Sequence, residues 1–322
     1  YWGEDDHGSV SGSTKNYTAT VADAKEYLTL IYIAAHPGTT WSDAQSAIDA
    51  RANITLHTPI SGNYVSWNAF DDIPANSNFT SGSYTYNGFD HSNVNTAIHA
   101  TSDLELKKNK IYLGGTTSII GIAVSGTSVD PSPVVTSNGN EFVIDNGSHS
   151  AVAVFRTNND NGTFNDTSSK FIIRSTAGAS NGLYNKGGVV SLNGSEFTVS
   201  AQSSNGIYNK ASGTTNGTLN ITNGTYTLNA TESNLITNEA YASVNGATFN
   251  VAATKANAIN NSKDLRITNG KFILSANASN LIVNTKETRI DGTDGSFTLN
   301  SNAKDSSAIY NNGDLLSVAD QT

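Results

Sequence analysis

Two tyrosines and two lysines recur at matching positions of a repeated segment, where they could bind a sugar. Tyr184 and Tyr208 occupy the same place in successive copies, and each is followed two residues later by a lysine, Lys186 or Lys210. Aromatic rings one strand apart can stack on the apolar faces of sugars, and ammonium groups can attract acidic substituents. In the alternative interpretation, which stays open, the tyrosines cover strand surface and the lysines keep it soluble. Two more basic residues are close in the sequence and complete this candidate patch: Arg156 and Arg174.

A second pair of basic residues defines another candidate ligand site. Arg266 and Arg289 occupy one position in successive copies of the repeat. Because like charges on neighbouring strands repel, an anionic ligand would relieve the repulsion between them. The alternative is that these arginines form ion pairs with Glu287 or Asp264.

An aromatic-rich segment before the repeats is a third candidate. Such a segment suits either sugar binding or packing against the flank of the fold, and packing is predicted for most of its rings, because a long structureless loop would be unusual. The segment spans residues 63–91 and contains Tyr64, Trp67, Phe70, Phe79, Tyr84, Tyr86 and Phe89.

The elements that must position these residues are short strands of an internal repeat. Each copy begins with an aromatic first strand, continues with a middle strand of the type Asn-Gly-Ile-Tyr-Asn, and closes with a third strand that ends in a turn such as Asn223-Gly224. Such strands cannot bury their faces alone, but stacked rungs can, at about 4.8 Å per rung. The pattern therefore predicts an all-β protein, a right-handed parallel β-helix (β-solenoid) of about nine rungs. The aromatic positions are Phe142, Phe171, Phe197, Tyr226, Phe249, Phe272 and Phe297.

The middle strand predicts one inward column, one outward column and one ladder. The inward apolar column reads Ile98, Ile122, Val152, Leu183, Ile207, Ile236, Ile259, Ile282 and Ile309. The outward column reads His99, Ala123, Ala153, Tyr184, Tyr208, Thr237, Asn260, Val283 and Tyr310. An asparagine that ends the strand in six copies predicts a stacked structural ladder, which satisfies turn backbone groups: Asn185, Asn209, Asn238, Asn261, Asn284 and Asn311.

The organisation along the chain is a tail, a cap and a solenoid. Residues 1–19 are predicted to form an N-terminal tail, residues 20–93 a cap that includes the aromatic segment, and residues 94–322 a solenoid that is one domain with the cap. Apolar residues at a helical period over 21–35 predict a cap helix, and residues 40–43 predict the start of a second one. A solenoid end exposes core and therefore needs such a cap.

Composition restricts the class of protein. The 322 residues contain no Cys, which excludes disulfides and thiolate metal sites, and no Met, which predicts a mature or excised segment. A net charge of −9 predicts that nucleic acid could bind only as a polyanion at low pH. No apolar run of membrane-spanning length is present, so no membrane insertion is predicted. The abundant N-x-S/T triplets reflect composition, and a bacterial source is predicted.

The strand order, the Asn-Gly turns and the asparagine ladder resemble the pectate-lyase-like parallel β-helix superfamily over roughly residues 20–322. A Cys-free chain rich in Ser, Thr and Asn is most similar to the binding regions of bacterial serine-rich-repeat surface adhesins. The resemblance implies a secreted protein of the bacterial cell surface, anchored to the cell wall through segments outside this chain. It implies binding of polysaccharide or glycoprotein glycans of host epithelium, mucus or matrix.

Catalytic residues, a metal site and cofactors are not predicted. Enzymes of this superfamily need clustered carboxylates, and neither the outward middle column nor the outward third-strand column contains an acid. The third-strand column reads Ser191, Asn220, Ser243, Arg266, Arg289 and Ser317. The sequence thus predicts non-catalytic, pH-dependent binding of an acidic polysaccharide. The first alternative is a polysaccharide lyase or glycoside hydrolase of the same fold, acting on acidic polysaccharide. The second is a passive stalk that holds another module. Clustered insertions at one corner, residues 125–134, 156–169 and 210–218, argue against a stalk, and they predict walls of a groove along the middle-strand face.

Overall fold

The chain folds as an all-β parallel β-solenoid of about seven turns, with about 6% helix. This confirms the predicted all-β parallel β-solenoid. The computed structural model describes residues 8–11, 14–17, 29–30, 32–33, 36–49, 63–68, 79–81, 84–86, 89–92, 96–100, 104–107, 110–115, 118–124, 133–145, 149–156, 162–174 and 179–319.

The middle strands pair in parallel and form one nine-stranded sheet in chain order. Each strand contributes its outward side chains to one face of the solenoid. These strands are β7 (Thr96–Ala100), β10 (Ile119–Val124), β13 (Ala151–Arg156), β16 (Asn181–Lys186), β19 (Asn205–Lys210), β22 (Asn234–Glu239), β25 (Asn257–Asn261), β27 (Asn280–Asn284) and β29 (Ser307–Asn311).

The third and first strands form the other large sheet, again with parallel pairing between turns. The third strands are β8 (Leu104–Lys107), β11 (Val134–Asn138), β14 (Thr163–Thr167), β17 (Val189–Asn193), β20 (Thr218–Thr222), β23 (Tyr241–Asn245) and β30 (Leu315–Val318). The first strands are β9 (Lys110–Gly115), β12 (Glu141–Ile144), β15 (Lys170–Ile173), β18 (Glu196–Val199), β21 (Thr225–Leu228) and β24 (Thr248–Val251). Two long strands contain a third strand followed by a first strand: β26 (Asp264–Leu274) and β28 (Glu287–Leu299).

The core is layered in register. The predicted aromatic residues stack with ring centroids 4.4–5.2 Å apart, from Phe142 to Phe297. The inward middle-strand residues Ile207, Ile236 and Ile259 are fully buried. The spacing of these contacts follows the rung repeat, because each inward side chain packs on the equivalent side chain of the next turn.

One position of the predicted inward column is wrong. Val154, and not Val152, lies opposite Ile122, and it is fully buried while Val152 is half-buried. The outward neighbour in this strand is therefore Phe155 instead of Ala153. Every residue of the strand up to Phe155 is apolar, so a shift of two residues leaves the alternation unchanged and the sequence pattern could not separate the two registers.

The asparagine ladder is confirmed, and we call it the inner ladder. Each Nδ2 donates to the Oδ1 of the equivalent asparagine in the next turn, at 2.7–3.0 Å. Nδ2 of Asn238, for example, also donates to the carbonyl oxygens of Ala240 and Asp264. The ladder therefore satisfies the buried turn between the middle and third strands.

A serine column before the middle strands was not predicted. Each hydroxyl accepts a hydrogen bond from a backbone N–H of the preceding turn, at 3.1–3.2 Å. The Ser204 hydroxyl accepts from the N–H of Ser180, for example, and the Ser279 hydroxyl accepts from the N–H of Ala256. Serines are too frequent in this sequence for such a column to stand out.

The N-terminal part is described only in pieces. Helix α1 (Trp41–Asp49) confirms the predicted second helix, and its first turn is capped by Thr40, whose Oγ1 accepts from the N–H of Asp43 at 3.2 Å. Ile48 of this helix packs in the solenoid core. Of the predicted cap helix, residues 29, 30, 32 and 33 are helical, and its other residues lie outside the described ranges.

The aromatic-rich segment contains strands, which agrees with a packed segment. β3 (Asn63–Asn68) pairs antiparallel with β9 and with β6 (Phe89–Ser92). Two further antiparallel pairs are β4 (Phe79–Ser81) with β5 (Tyr84–Tyr86), and β1 (Gly8–Ser11) with β2 (Thr14–Tyr17). In the part of the chain that the structure describes, no helix has the length and apolarity needed to cross a bilayer.

Candidate functional site

A groove of about 240 Å³ crosses the outward face of four third strands, from β20 to β28. Third-strand side chains alternate between core and solvent, so every second residue of each strand faces the groove. The register aligns one outward residue of each strand in a single row: Asn220, Ser243, Arg266 and Arg289. The predicted arginine pair therefore lies in a groove, at one end of a polar floor.

A second row runs along the same groove, one outward position earlier in each strand. It consists of Thr218, Tyr241, Asp264 and Glu287. Tyr241 is 42% exposed, so its ring is open to solvent in the groove. Tyr241 was not predicted, because the outward column read from the sequence contained only the central residue of each third strand. The strand pattern could have identified it, because the first and third residues of a strand point to the same face and Tyr241 is the first residue of β23.

The two arginines are held by acids but retain free hydrogen-bond donors. Nε of Arg289 lies 2.7 Å from the Glu287 carboxylate, and Nε of Arg266 lies 3.5 Å from that of Asp291. The predicted pairing with Glu287 is confirmed for Arg289, whereas Arg266 pairs with Asp291 and not with Asp264. The terminal guanidinium nitrogens make no hydrogen bond to any residue within the described ranges. They can therefore bind a carboxylate in a bidentate fashion.

Two carboxylates also occupy adjacent turns of the groove. Asp264 lies directly opposite Glu287 in the register, so the two side chains start about 4.8 Å apart. The sequence columns did not reveal this pair, because both acids begin their strands. A carboxylate pair is the basic requirement of a glycosidase. Here, however, Glu287 is 38% exposed and ion-paired with Arg289, whereas a general acid is held protonated in an apolar pocket.

The predicted tyrosine pair lies on the other large face, where internal contacts occupy it. The Tyr184 and Tyr208 rings are 5.0 Å apart and nearly perpendicular, at 80°. The Tyr208 hydroxyl donates to Glu239 at 2.9 Å, and Nζ of Lys210 lies 5.8 Å from the centre of the Tyr208 ring. Burial, and then the hydrogen bond to Glu239, raises the pKa of Tyr208 above its usual value. These contacts favour the interpretation in which Tyr208 covers strand surface.

The corrected register adds a third ring to this pair. The ring centroids of Phe155 and Tyr184 are 5.0 Å apart and the rings are tilted. The outward column therefore has three aromatic residues on successive turns. The rings pack against one another and do not present a single flat platform.

The predicted basic patch is divided. Lys186 neighbours Lys210 in the register, as predicted, but Lys210 next neighbours Glu239. Arg174 lies elsewhere, with Nε 3.3 Å from Asp145 and its guanidinium over the ring of Tyr112. Arg156 ends β13, and its side chain lies outside the described residues.

The insertions at the corner after the middle strand, residues 125–134, 156–169 and 210–218, are predicted to wall a groove along the middle-strand face. Residues 210–218 make a compact loop there, closed by a bridge between Ser212 and Thr215. Residues 125–132 and 157–161 of the two earlier insertions lie outside the described ranges.

Within the described ranges, no three His, Asp or Glu side chains converge as metal ligands would. No family model, no curated protein and no solved structure matches this chain.

Proposed function

We propose that this chain is a non-catalytic carbohydrate-binding module of a secreted bacterial surface adhesin, and that it binds an acidic polysaccharide in the third-strand groove. The observation that carries the proposal is the combination of an exposed aromatic ring, Tyr241, with two guanidinium groups that keep free donors, Arg266 and Arg289. Host or matrix glycans are the proposed partners, and no cofactor is needed.

Each part of the groove would recognise one feature of a sugar. Tyr241 offers an apolar ring face for stacking. Asn220 and Ser243 offer neutral donors and acceptors for hydroxyl groups. The terminal nitrogens of Arg266 and Arg289 fit a uronate carboxylate, which accepts two parallel N–H bonds from one guanidinium.

The acids around the groove would make this recognition depend on pH. Asp264, Glu287 and Asp291 surround the two arginines, so the local charge is one unit negative (two positive, three negative). A uronate therefore competes with protein carboxylates for the same guanidinium groups. Carboxylates in general bind protons as the pH falls toward about 4, so a lower pH would reduce the negative charge that competes with an ionised ligand.

The test is affinity electrophoresis in gels that contain polygalacturonate. Arg266→Ala combined with Arg289→Ala should weaken binding about tenfold or more, because each charged hydrogen bond contributes about 1.5–3 kcal/mol. Tyr241→Ala should weaken binding separately. Lys271→Ala combined with Lys304→Ala is the matched control, because it removes the same charge from exposed positions outside the groove. Equal losses in the arginine and lysine variants would overturn the groove as the site.

A second candidate function rests on the carboxylate pair. Asp264 and Glu287 on adjacent turns could act in a polysaccharide hydrolase or, with an arginine, in a lyase. Prolonged incubation with polygalacturonate would then release reducing ends or an unsaturated product that absorbs ultraviolet light. Asp264→Asn and Glu287→Gln should abolish release in an enzyme. In the binding module they should leave the polymer intact and increase its affinity, since they remove competing charge.

We also propose the finer architecture: a right-handed coil of nine rungs closed at its N-terminal end by a helical cap. The nine strands of one sheet support the rung number, and Ile48 of α1 in the core supports the cap. A crystal structure tests both. Immunogold labelling of intact cells with antibodies against this chain tests the proposed surface location.

A further inference from the structure

The outward face of the nine-stranded sheet carries a second asparagine column, which we call the outer ladder. The side chains lie at the start of five successive middle strands. In the last four of them, Nδ2 donates to the Oδ1 of the equivalent asparagine in the previous turn, at 2.9–3.4 Å. The bonds run toward the N-terminus, whereas those of the inner ladder run toward the C-terminus. The outer ladder consists of Asn181, Asn205, Asn234, Asn257 and Asn280.

The outer ladder differs from the inner one in its burial and in the N–H donors that it leaves without a hydrogen bond. The inner asparagines up to Asn284 are fully buried, whereas all five outer ones are half-buried at the solvent face. Each amide has two N–H donors and a two-lone-pair acceptor, and the ladder takes one donor per turn. The second donor of Asn257 and that of Asn280 make no hydrogen bond within the described ranges. These amides can therefore bind hydroxyl groups while the ladder stays intact.

The neighbouring column on this face is uncharged over its last four turns. It reads Thr237, Asn260, Val283 and Tyr310. Tyr310 is 54% exposed at the C-terminal end of this column. In both columns, no Asp, Glu, Lys or Arg occurs between residues 234 and 310 at these positions. The surface thus offers repeated neutral hydrogen-bonding groups that end at an exposed aromatic ring.

We propose that this face binds a neutral, linear polysaccharide that runs along the solenoid axis. Amide groups recur at the rung spacing of about 4.8 Å, and an extended chain of linked pyranoses advances by a similar distance per sugar. One hydroxyl-bearing sugar can therefore meet one amide on each turn, and the terminal sugar can stack on Tyr310. The two columns themselves offer no counter-charge to a charged polymer, so the ligand class is a neutral glycan with hydroxyl groups along its length.

This site is separate from the acidic-glycan groove, and its test keeps the two apart. The probe is hydroxyethyl cellulose in affinity electrophoresis, with polygalacturonate gels run in parallel. Asn257→Ala combined with Asn280→Ala, and Tyr310→Ala alone, should each reduce retardation by hydroxyethyl cellulose severalfold and leave polygalacturonate binding unchanged. The variant that lacks Arg266 and Arg289 should show the opposite result.

The matched control is Thr225→Ala combined with Thr248→Ala. This pair also removes neighbouring polar side chains from adjacent turns, but on the first-strand face. A loss of neutral-polymer binding in both double variants, or retention in the asparagine variant, would overturn the proposal. Light scattering tests whether a second copy of the chain occupies this face instead. A dimer that the asparagine variant dissociates, with no hydroxyethyl cellulose binding by the parent protein, would assign the face to a second copy and overturn the proposal as well.

Discussion

The third-strand groove and the outer-ladder face lie on the same turns of one solenoid, yet their chemistry differs. The groove has two arginines among three carboxylates, whereas the two outward columns of the outer-ladder face carry amides and no charge from Asn234 to Tyr310. Both surfaces rest on the same inward column and aromatic stack. Because the core constrains only the inward side chains, the outward residues of each strand can vary independently. One repeat can therefore present two surfaces for different ligands.

The largest expected effect comes from the part that both surfaces share. Ile259→Ala should lower the free energy of unfolding by about 2–5 kcal/mol, because a fully buried side chain leaves a cavity between stacked turns. Chemical denaturation measures this change. Binding to both polysaccharides should fall together near the transition, since neither surface folds without the core. A change smaller than about 0.5 kcal/mol would contradict the inward assignment.

The two asparagine ladders should separate stability from binding. Asn261→Ala removes a buried amide that bonds to Asn284 and to the carbonyl oxygen of Glu287, and it should cost about 1–3 kcal/mol of stability. Asn257→Ala, at the half-buried outer position, should change stability by no more than about 0.5 kcal/mol. Thermal melts of the two variants give the comparison directly. Equal losses would mean that the outer ladder is structural and not a ligand surface.

The fold and the inner ladder could be predicted from the sequence because they repeat. The aromatic stack, the inward isoleucines and the six asparagines recur at nearly fixed spacing, and only stacked turns satisfy all of them. The register of β13 could not be predicted, because a continuous apolar run fits two registers equally. The segments between the strands differ in length from copy to copy, so the spacing along the chain did not decide between the two registers.

The candidate site was only partly predictable for a different reason. Arg266 and Arg289 stood out because they repeat, and the structure does bring them together. Tyr241 does not repeat, since its neighbours in the same row are Thr218 and Asp264. Arg174 was grouped with the tyrosines by sequence proximity alone, whereas the corner between strands turns it toward Asp145. Proximity in sequence is a weak guide where the chain turns every few residues.

Solution conditions should distinguish the charged groove from the neutral face. Between about pH 6 and pH 4 the carboxylates of the chain begin to bind protons while arginine stays charged, so binding to polygalacturonate should strengthen. Added salt should weaken that binding through screening. Hydroxyethyl cellulose binding should not respond to salt. Titration of both polymers from pH 7 to pH 4 at two ionic strengths measures the contrast, and a flat response of the polygalacturonate affinity would show that charge does not drive recognition.

The smallest expected effect concerns a hydroxyl group in the core beneath both surfaces. Tyr226 is the one tyrosine in the aromatic stack, it is fully buried, and its hydroxyl makes no hydrogen bond within the described residues. One carboxylate oxygen of Asp166 is also buried, and it has no hydrogen-bond partner in the part of the chain that the structure describes. Burial, and then the charge of Asp166, raises the pKa of the Tyr226 hydroxyl above its usual value.

Tyr226→Phe should therefore leave the stability at neutral pH unchanged or raise it by up to about 1 kcal/mol, because a desolvated group without a partner opposes folding. The raised pKa also predicts the direction in which the stability changes with pH. Above about pH 10 the unfolded chain ionises this tyrosine while the folded chain keeps it protonated, so stability is lost as the pH rises. The phenylalanine variant should lose less stability than the parent between pH 9 and about pH 11. Denaturation at several pH values gives both results, and binding to either polysaccharide should not change. A clear loss of stability at neutral pH would instead mean that the hydroxyl is hydrogen-bonded in solution, and it would make Tyr226 and Asp166 a structural polar pair.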